Sequence, residues 1–165
     1  MGEEVGVEFE FSSNDGSPWH PVHKGDDCNP HCDVSIRIGE TWIPGENVYF
    51  EVAEVSFFNE LLHVLIELQS GEKQVSYFIE HPSLFLFERN GDDQIQVTNY
   101  YNEESIEDPS KRLGIEKTGT CSLTGFENAT LRRVQEIINR LRNKKLSKSD
   151  SNLFHVLEER YQQVK

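Results

Sequence analysis

The chain has 165 residues, of which 29 are acidic and 16 basic, so its formal net charge is -13 and its pI is near 4.8. This length allows one compact domain with an appendage and excludes two full enzyme domains. An aromatic content of 10% supplies material for a core and argues against wholesale disorder. No apolar run reaches the roughly 18 residues of a membrane span, and the acidic N-terminus lacks the features of a signal peptide. We therefore expect a cytoplasmic protein that does not contact membranes.

The first third of the chain predicts strands separated by a long loop. Apolar and polar residues alternate over residues 5–11, which is the period of a half-buried strand. Residues 12–33 are rich in Ser, Asn, Asp, Gly, Pro and His and are predicted to form a loop. Strand character returns over 34–38 and again over 48–52, with a Pro-Gly turn at 44–45 between them.

The middle third predicts one helix followed by antiparallel strands. Ser56 can cap a helix whose broad apolar arc extends to Leu68, and Gly71 is a typical residue for its end. A strand over 75–79 and a hairpin between about residues 84 and 100 follow, because an Asn-Gly-Asp-Asp turn separates a run that is apolar on both faces from an alternating one. The acidic residues 102–120 are interpreted as a connecting segment.

The C-terminal residues predict a pair of helices. Apolar residues recur at helical spacing over 131–141 and again over 153–164, which is typical of an αα-hairpin. The predicted fold is therefore α+β, with a mainly antiparallel sheet, one packed helix and a C-terminal αα-hairpin. We expect an acidic domain over 1–126, with the hairpin over 127–165 packed on it. The chain lacks the βαβ alternation and Gly-rich loops that bind nucleotides.

Charge is divided unevenly along the chain. Residues 1–127 hold 25 acidic and 7 basic side chains, whereas the remaining residues hold 4 acidic and 9 basic ones. An acidic surface of this kind speeds encounter with a basic protein and repels nucleic acid, although it also serves solubility alone. Clustered acids beside two tyrosines form the predicted partner-binding set, whose alternative is a solvated loop beside core tyrosines. The set is Asp92, Asp93, Tyr100, Tyr101, Glu103 and Glu104.

A basic patch lies on the first C-terminal helix. It consists of Arg132, Arg133, Arg140, Arg142, Lys144 and Lys145. The first interpretation is a solvated helix face whose late cations suit the helix dipole. Docking onto the acidic body is the second interpretation and contact with nucleic acid is the third.

Histidine and cysteine cluster between residues 19 and 32. Four of these side chains have the donor types and close pairing of a tetrahedral zinc site, namely His20, His23, Cys28 and Cys32, with His31 as an alternate ligand. This predicts one structural zinc ion, against the alternative of a polar loop without metal. The odd number of cysteines favours a reducing compartment over a disulfide framework.

No catalytic constellation can be assembled from the sequence. Cys28 or Cys121 beside an imidazole could act as a nucleophile, but no elbow, phosphate-binding loop or metalloprotease motif accompanies them. We therefore expect a non-enzymatic acidic inhibitor or immunity-type protein that masks a basic partner such as a toxin nuclease. The alternative is a subunit or adaptor of a larger assembly that docks through the helical hairpin. A third hypothesis is a nucleic-acid-linked protein that uses residues 132–148.

Overall fold

The computed structural model describes residues 5–12, 28–46, 48–80 and 82–165. It confirms the α+β fold with antiparallel sheets and a C-terminal helical pair. Sheet 1 contains β1 (Val7–Ser12), β2 (His31–Ile38), β3 (Thr41–Ile43) and β4 (Phe50–Ala53). Strand β2 is central, with β1 along one edge and β3 and β4 sharing the other.

Sheet 2 is a four-stranded antiparallel meander. It contains β5 (Gln74–Glu80), β6 (Ser83–Arg89), β7 (Gln94–Tyr100) and β8 (Thr118–Ser122), in that spatial order. The hairpin predicted between about residues 84 and 100 is the β6–β7 pair. Strand β8 overlaps the last three residues of the predicted connecting segment 102–120, so that prediction was wrong at its end. The short helix α2 (Glu104–Glu107) and a 3-10 turn occupy the rest of the connection.

Three longer helices complete the fold. They are α1 (Glu54–Gln69), α3 (Leu123–Leu141) and α4 (Lys148–Val164). Helix α3 begins well before the predicted start near Leu131 because the Ser122 hydroxyl accepts the amide of Gly125 at 2.9 Å. Helix α4 begins where the Ser147 hydroxyl accepts the amide of Asp150 at 3.2 Å.

Helix α1 starts at Glu54 and not at the predicted cap, Ser56. Its cap comes from a distant residue: Asn29 Oδ1 accepts the amides of Val55 at 2.7 Å and Ser56 at 3.3 Å. The Asn29 side-chain amide also donates to the Ser56 hydroxyl at 3.0 Å. The segment before β2 therefore fixes where α1 begins.

One continuous core joins both sheets and all three long helices. Ten of the sixteen residues of α1 are buried, which explains the broad apolar arc in its sequence. Phe9 of β1 links the layers, because its ring centroid lies 5.2 Å from that of Phe58 in α1 and 6.0 Å from that of Phe126 in α3. Phe126 in turn lies 5.6 Å from Phe87 of sheet 2. The inner faces of both sheets are therefore buried in the core.

The two sheets approach each other closely at Gly119 of β8. A Cβ atom at this position would lie 2.8 Å from Cβ of Ile38 in β2, closer than side chains tolerate. We expect Gly119→Ala to destabilise the fold by about 1–3 kcal/mol, because the sheets would have to separate locally. Gly6→Ala is the control, since no atom lies within 4 Å of the added methyl group. Urea unfolding of both variants measures the difference, and equal losses would contradict this account of the contact.

Candidate protein-binding surfaces

The predicted partner-binding residues separate into two groups. Asp92 and Asp93 lie at the turn between β6 and β7, whereas Tyr100 ends β7 and Tyr101, Glu103 and Glu104 follow it. The length of β7 places the two groups about 20 Å apart. They do not form one continuous surface.

Asp93 stabilises the start of helix α3. Its carboxylate accepts the amide of Thr124 at 2.9 Å and the Thr124 hydroxyl at 2.8 Å. These hydrogen bonds lower the pKa of Asp93, with a smaller contribution from the nearby Arg89 guanidinium. Asp92 is exposed, and its backbone carbonyl accepts from Arg89.

Tyr100 belongs to a second, smaller core on the outer side of sheet 2. It is 8% exposed and packs with Leu84 and Leu86, while the Arg112 guanidinium lies 5.5 Å from its ring centroid. Tyr101 is half-buried. The ring of Tyr100 is therefore used inside the protein and offers little area to a partner.

Glu103 and Glu104 line a groove on the outer side of sheet 2. The groove has a volume of about 490 Å³. Its other lining residues are Gln74, Ser76, Ile106 and Glu107. Helix α2 places Glu104 and Glu107 one turn apart. We call this cleft the acidic groove.

A second acidic surface, which sequence reasoning missed, is the outer face of sheet 1. Strand alternation turns the apolar residues of β1 and β2 toward the core and their polar residues outward. We call this surface the carboxylate face, and it comprises Glu8, Glu10, Asp33 and Glu51 together with the half-buried Trp42 and Tyr49. The signal in the sequence was the alternation of Glu8 and Glu10 with apolar residues, but the neighbours from β2 and β4 depend on strand register.

Like charges are concentrated on the carboxylate face. Asp33 and Glu51 are directly opposite each other on neighbouring strands, and burial together with the Glu51 charge raises the pKa of Asp33. The hydroxyl of Tyr49 donates to the Glu10 carboxylate at 3.1 Å. Burial, this hydrogen bond and the charges of Glu10 and Asp33 all raise the pKa of Tyr49.

One cation, Arg37, lies on the same face. Its guanidinium is 3.8 Å from the Glu8 carboxylate and 5.4 Å from the ring centroid of Trp42. Cations favour the faces of aromatic rings, so Trp42 already shows the kind of contact that a partner's basic side chain could make.

Part of the basic patch contacts the body of the protein. Arg140 pairs with Glu54 in the first turn of α1, and their side chains are 15% and 2% exposed. The Arg133 guanidinium lies 4.5 Å from the ring centroid of Phe11. Arg142 lies 3.9 Å from Glu158 on α4, and both side chains are partly exposed. Arg132 borders a small cleft between β1 and α3, while Lys145 is exposed.

The predicted zinc ligands are only partly covered by the structure. Cys28 and Cys32 are buried in the main core, and His31 is exposed at the start of β2. His20 and His23 lie outside the described residues. Within the part of the chain that the structure describes, no group of three or more His, Cys, Asp or Glu side chains could hold a metal ion. The four-ligand zinc site therefore stays a prediction.

Burial keeps two of the cysteine thiols protonated. It raises the pKa of Cys32 to about 12, with further contributions from the charges of Glu54 and Asp33. It raises the pKa of Cys121 to about 12 as well, helped by the charge of Asp93. A nucleophilic cysteine must reach its thiolate form near neutral pH. Neither thiol meets that requirement in this fold.

Comparison with known proteins does not assign the chain to a family. No family model matches it, and neither a curated protein nor a solved structure is significantly similar to it. Among the helices of the described residues, none is long and apolar enough to cross a membrane.

Because Glu54 and Arg140 form a buried ion pair, we expect two arginine substitutions to differ strongly in their effect on the free energy of unfolding. Arg140→Ala leaves a buried carboxylate without its partner, so we expect a loss of about 3–5 kcal/mol in the free energy of unfolding. Arg142→Ala removes a guanidinium that is 59% exposed and should cost at most about 1 kcal/mol. Chemical denaturation measures both variants.

The double variant Glu54→Leu with Arg140→Met provides a further control. It removes both charges together, so it should recover much of the stability lost in Arg140→Ala. Similar small losses for Arg140→Ala and Arg142→Ala would contradict the structural importance of the pair.

Proposed function

We propose that this chain is a non-catalytic protein-binding module of the inhibitor or immunity type, which masks a basic protein such as a toxin nuclease. The observation that carries the proposal is the carboxylate face of sheet 1. It combines clustered carboxylates with two half-buried aromatic side chains on the outer face of sheet 1. Tyr and Trp are enriched among the residues that contribute most to protein interfaces.

The opposed pair Asp33 and Glu51 favours a cationic partner. Like charges directly opposite each other on neighbouring strands destabilise a sheet. A Lys or Arg side chain placed between the two carboxylates would convert that repulsion into charge-assisted hydrogen bonds. The raised pKa of Asp33 reflects the same electrostatic crowding.

The aromatic side chains supply contact area beside the charges. Trp42 lies across from Arg37 on the neighbouring strand, and Tyr49 is held by its hydrogen bond to Glu10. Rigid aromatic side chains lose little conformational entropy on binding. Charge would therefore accelerate the encounter, whereas the aromatic contacts would prolong the complex.

Two observations favour this proposal over the adaptor and nucleic-acid hypotheses. Of the five apolar residues that recur along α4, Leu157, Tyr161 and Val164 are buried within the protein's own core, and Leu153 and Phe154 are half-buried against it. Arg133 and Arg140, which a nucleic acid would need, are engaged with Phe11 and Glu54.

Isolation of the untagged protein from its native host tests the proposal. At low salt we expect it to elute with one basic chain at one-to-one stoichiometry, identified by intact mass. At about 1 M salt the Debye length is only about 3 Å, so charges on the two proteins no longer attract each other at a distance. The association rate of the two purified chains should therefore be much lower than at low salt. Co-elution with nucleic acid, with several large subunits, or with no partner would contradict the proposal.

Two matched triple variants then locate the interface, because each removes three negative charges. The first is Glu10→Gln, Asp33→Asn and Glu51→Gln on the carboxylate face, and the second is Glu103→Gln, Glu104→Gln and Glu107→Gln in the acidic groove. We expect the first to slow association with the basic chain and to weaken its salt dependence more than the second. The reverse order would place the partner at the acidic groove and contradict the assignment to sheet 1.

A further inference from the structure

Strand β4 has one free edge among the described strands, since it pairs only with β2. The amide of Glu54 donates to the carbonyl of Pro30 at 3.0 Å, so these two residues form a hydrogen-bonded pair of the antiparallel ladder. Bonded and non-bonded pairs alternate along such a ladder. The pairs of Asp33 with Glu51 and of His31 with Ala53 are therefore non-bonded. The backbone N–H groups of Glu51 and Ala53 point away from β2.

The other side of β2 gives the same result independently. The amide of Gly39 donates to the carbonyl of Gly6 at 2.8 Å, which sets the phase of the β1–β2 ladder. Every second pair of that ladder is hydrogen-bonded, and the pair of Asp33 with Ser12 is one of them. The backbone N–H and C=O of Asp33 therefore point toward β1. Asp33 therefore does not use Glu51 as a backbone partner, and no described strand pairs with the outer edge of β4 at Glu51.

A groove runs beside this edge, between β4 and β5. Its volume is about 390 Å³. Its apolar lining comes from Val52, Phe57, Tyr77 and Ile79. Glu51 belongs both to the rim of this groove and to the carboxylate face. An extended segment along β4 would thus have the groove on one side and the carboxylates on the other.

We propose that the free edge of β4 binds an extended segment of the basic partner by strand addition, and that basic and apolar residues alternate in this segment. The inference rests on the proposed function and names the chemistry of the partner. Successive side chains of a strand point to opposite faces. Basic side chains would reach Asp33 and Glu51, while the apolar ones between them would enter the groove.

Backbone and side chains contribute differently to this recognition. In strand addition the main-chain hydrogen bonds provide affinity, and pockets for alternate side chains provide specificity. The N–H and C=O of Glu51 and the N–H of Ala53 are the groups available to the incoming strand. Charge alone would not distinguish the order of residues in a basic segment, whereas strand addition does.

Two synthetic peptides of identical composition test the order dependence on the full-length protein. One alternates Arg and Val over seven residues, and the other places its four Arg before its three Val. We expect the alternating peptide to bind roughly tenfold more tightly, the worth of one or two added hydrogen bonds, as measured by NMR titration. An alternating Glu and Val peptide is the charge control.

Ala53→Pro tests the backbone contact itself. Proline removes the outward N–H of residue 53 and leaves the β2–β4 hydrogen bonds intact, and the φ of -87° at Ala53 is near the value that proline requires. Ala53→Ser is the matched control, because it keeps the N–H. We expect Ala53→Pro to weaken binding of the alternating peptide roughly tenfold. Binding of the peptide whose four Arg precede its three Val should not change. Circular dichroism of both variants establishes that they are folded.

The outcomes separate this inference from the proposed function. Equal binding of the two basic peptides, or no effect of Ala53→Pro, would overturn strand addition and leave a basic partner in place. Equal binding of the acidic control peptide would overturn the proposed function. Protection of the Glu51 and Ala53 amides from hydrogen exchange in the free protein would mean that this chain already fills the edge, which also overturns the inference.

Discussion

Burial of helix α1 is the constraint on which the rest of the structure depends. Both sheets and the helices α3 and α4 pack around it, so its apolar residues can lie on nearly every side. Such a helix can begin at Glu54 only if that buried carboxylate is neutralised, and Arg140 near the end of α3 provides the charge. The Asn29 side chain supplies the missing cap. Contacts distant in sequence therefore fix the position of α1.

The free surfaces of the molecule follow from this arrangement. Because the inner faces of both sheets are used to bury α1 and its neighbours, their outer faces carry the polar residues. On sheet 2 part of the outer face is covered by the segment around Ile106, which buries Leu84, Leu86 and Tyr100. On sheet 1 the outer face keeps its carboxylates and aromatic residues exposed or half-buried. The proposed binding site is thus the outer face of a sheet whose inner face packs against the core.

The sequence predicted those features that depend on local pattern. Period-two alternation identified β1 and β7, a continuous apolar run before a turn identified β6, and helical spacing identified the C-terminal helices. The pattern did not predict β8, because Thr118 to Ser122 are small and mostly polar residues whose strand conformation comes from pairing with β7. The start of α1 was misplaced since its cap, Asn29, is remote in sequence. The carboxylate face was missed for the same kind of reason: Asp33 and Glu51 become neighbours only through the register of β2 and β4.

Residues of α3 and α4 belong to the same core as the two sheets, so we expect the C-terminal helical pair to unfold together with the sheets and not as a separate docking unit. Equilibrium unfolding followed with two probes tests this most directly. In a Trp19→Phe variant, Trp42 is the sole tryptophan and its fluorescence reports on sheet 1, while far-ultraviolet circular dichroism reports mainly on the helices. We predict that the two transitions coincide at the same denaturant concentration. Loss of helical signal at a lower concentration, while the Trp42 signal is unchanged, would contradict the account and separate residues 127–165 from the acidic domain.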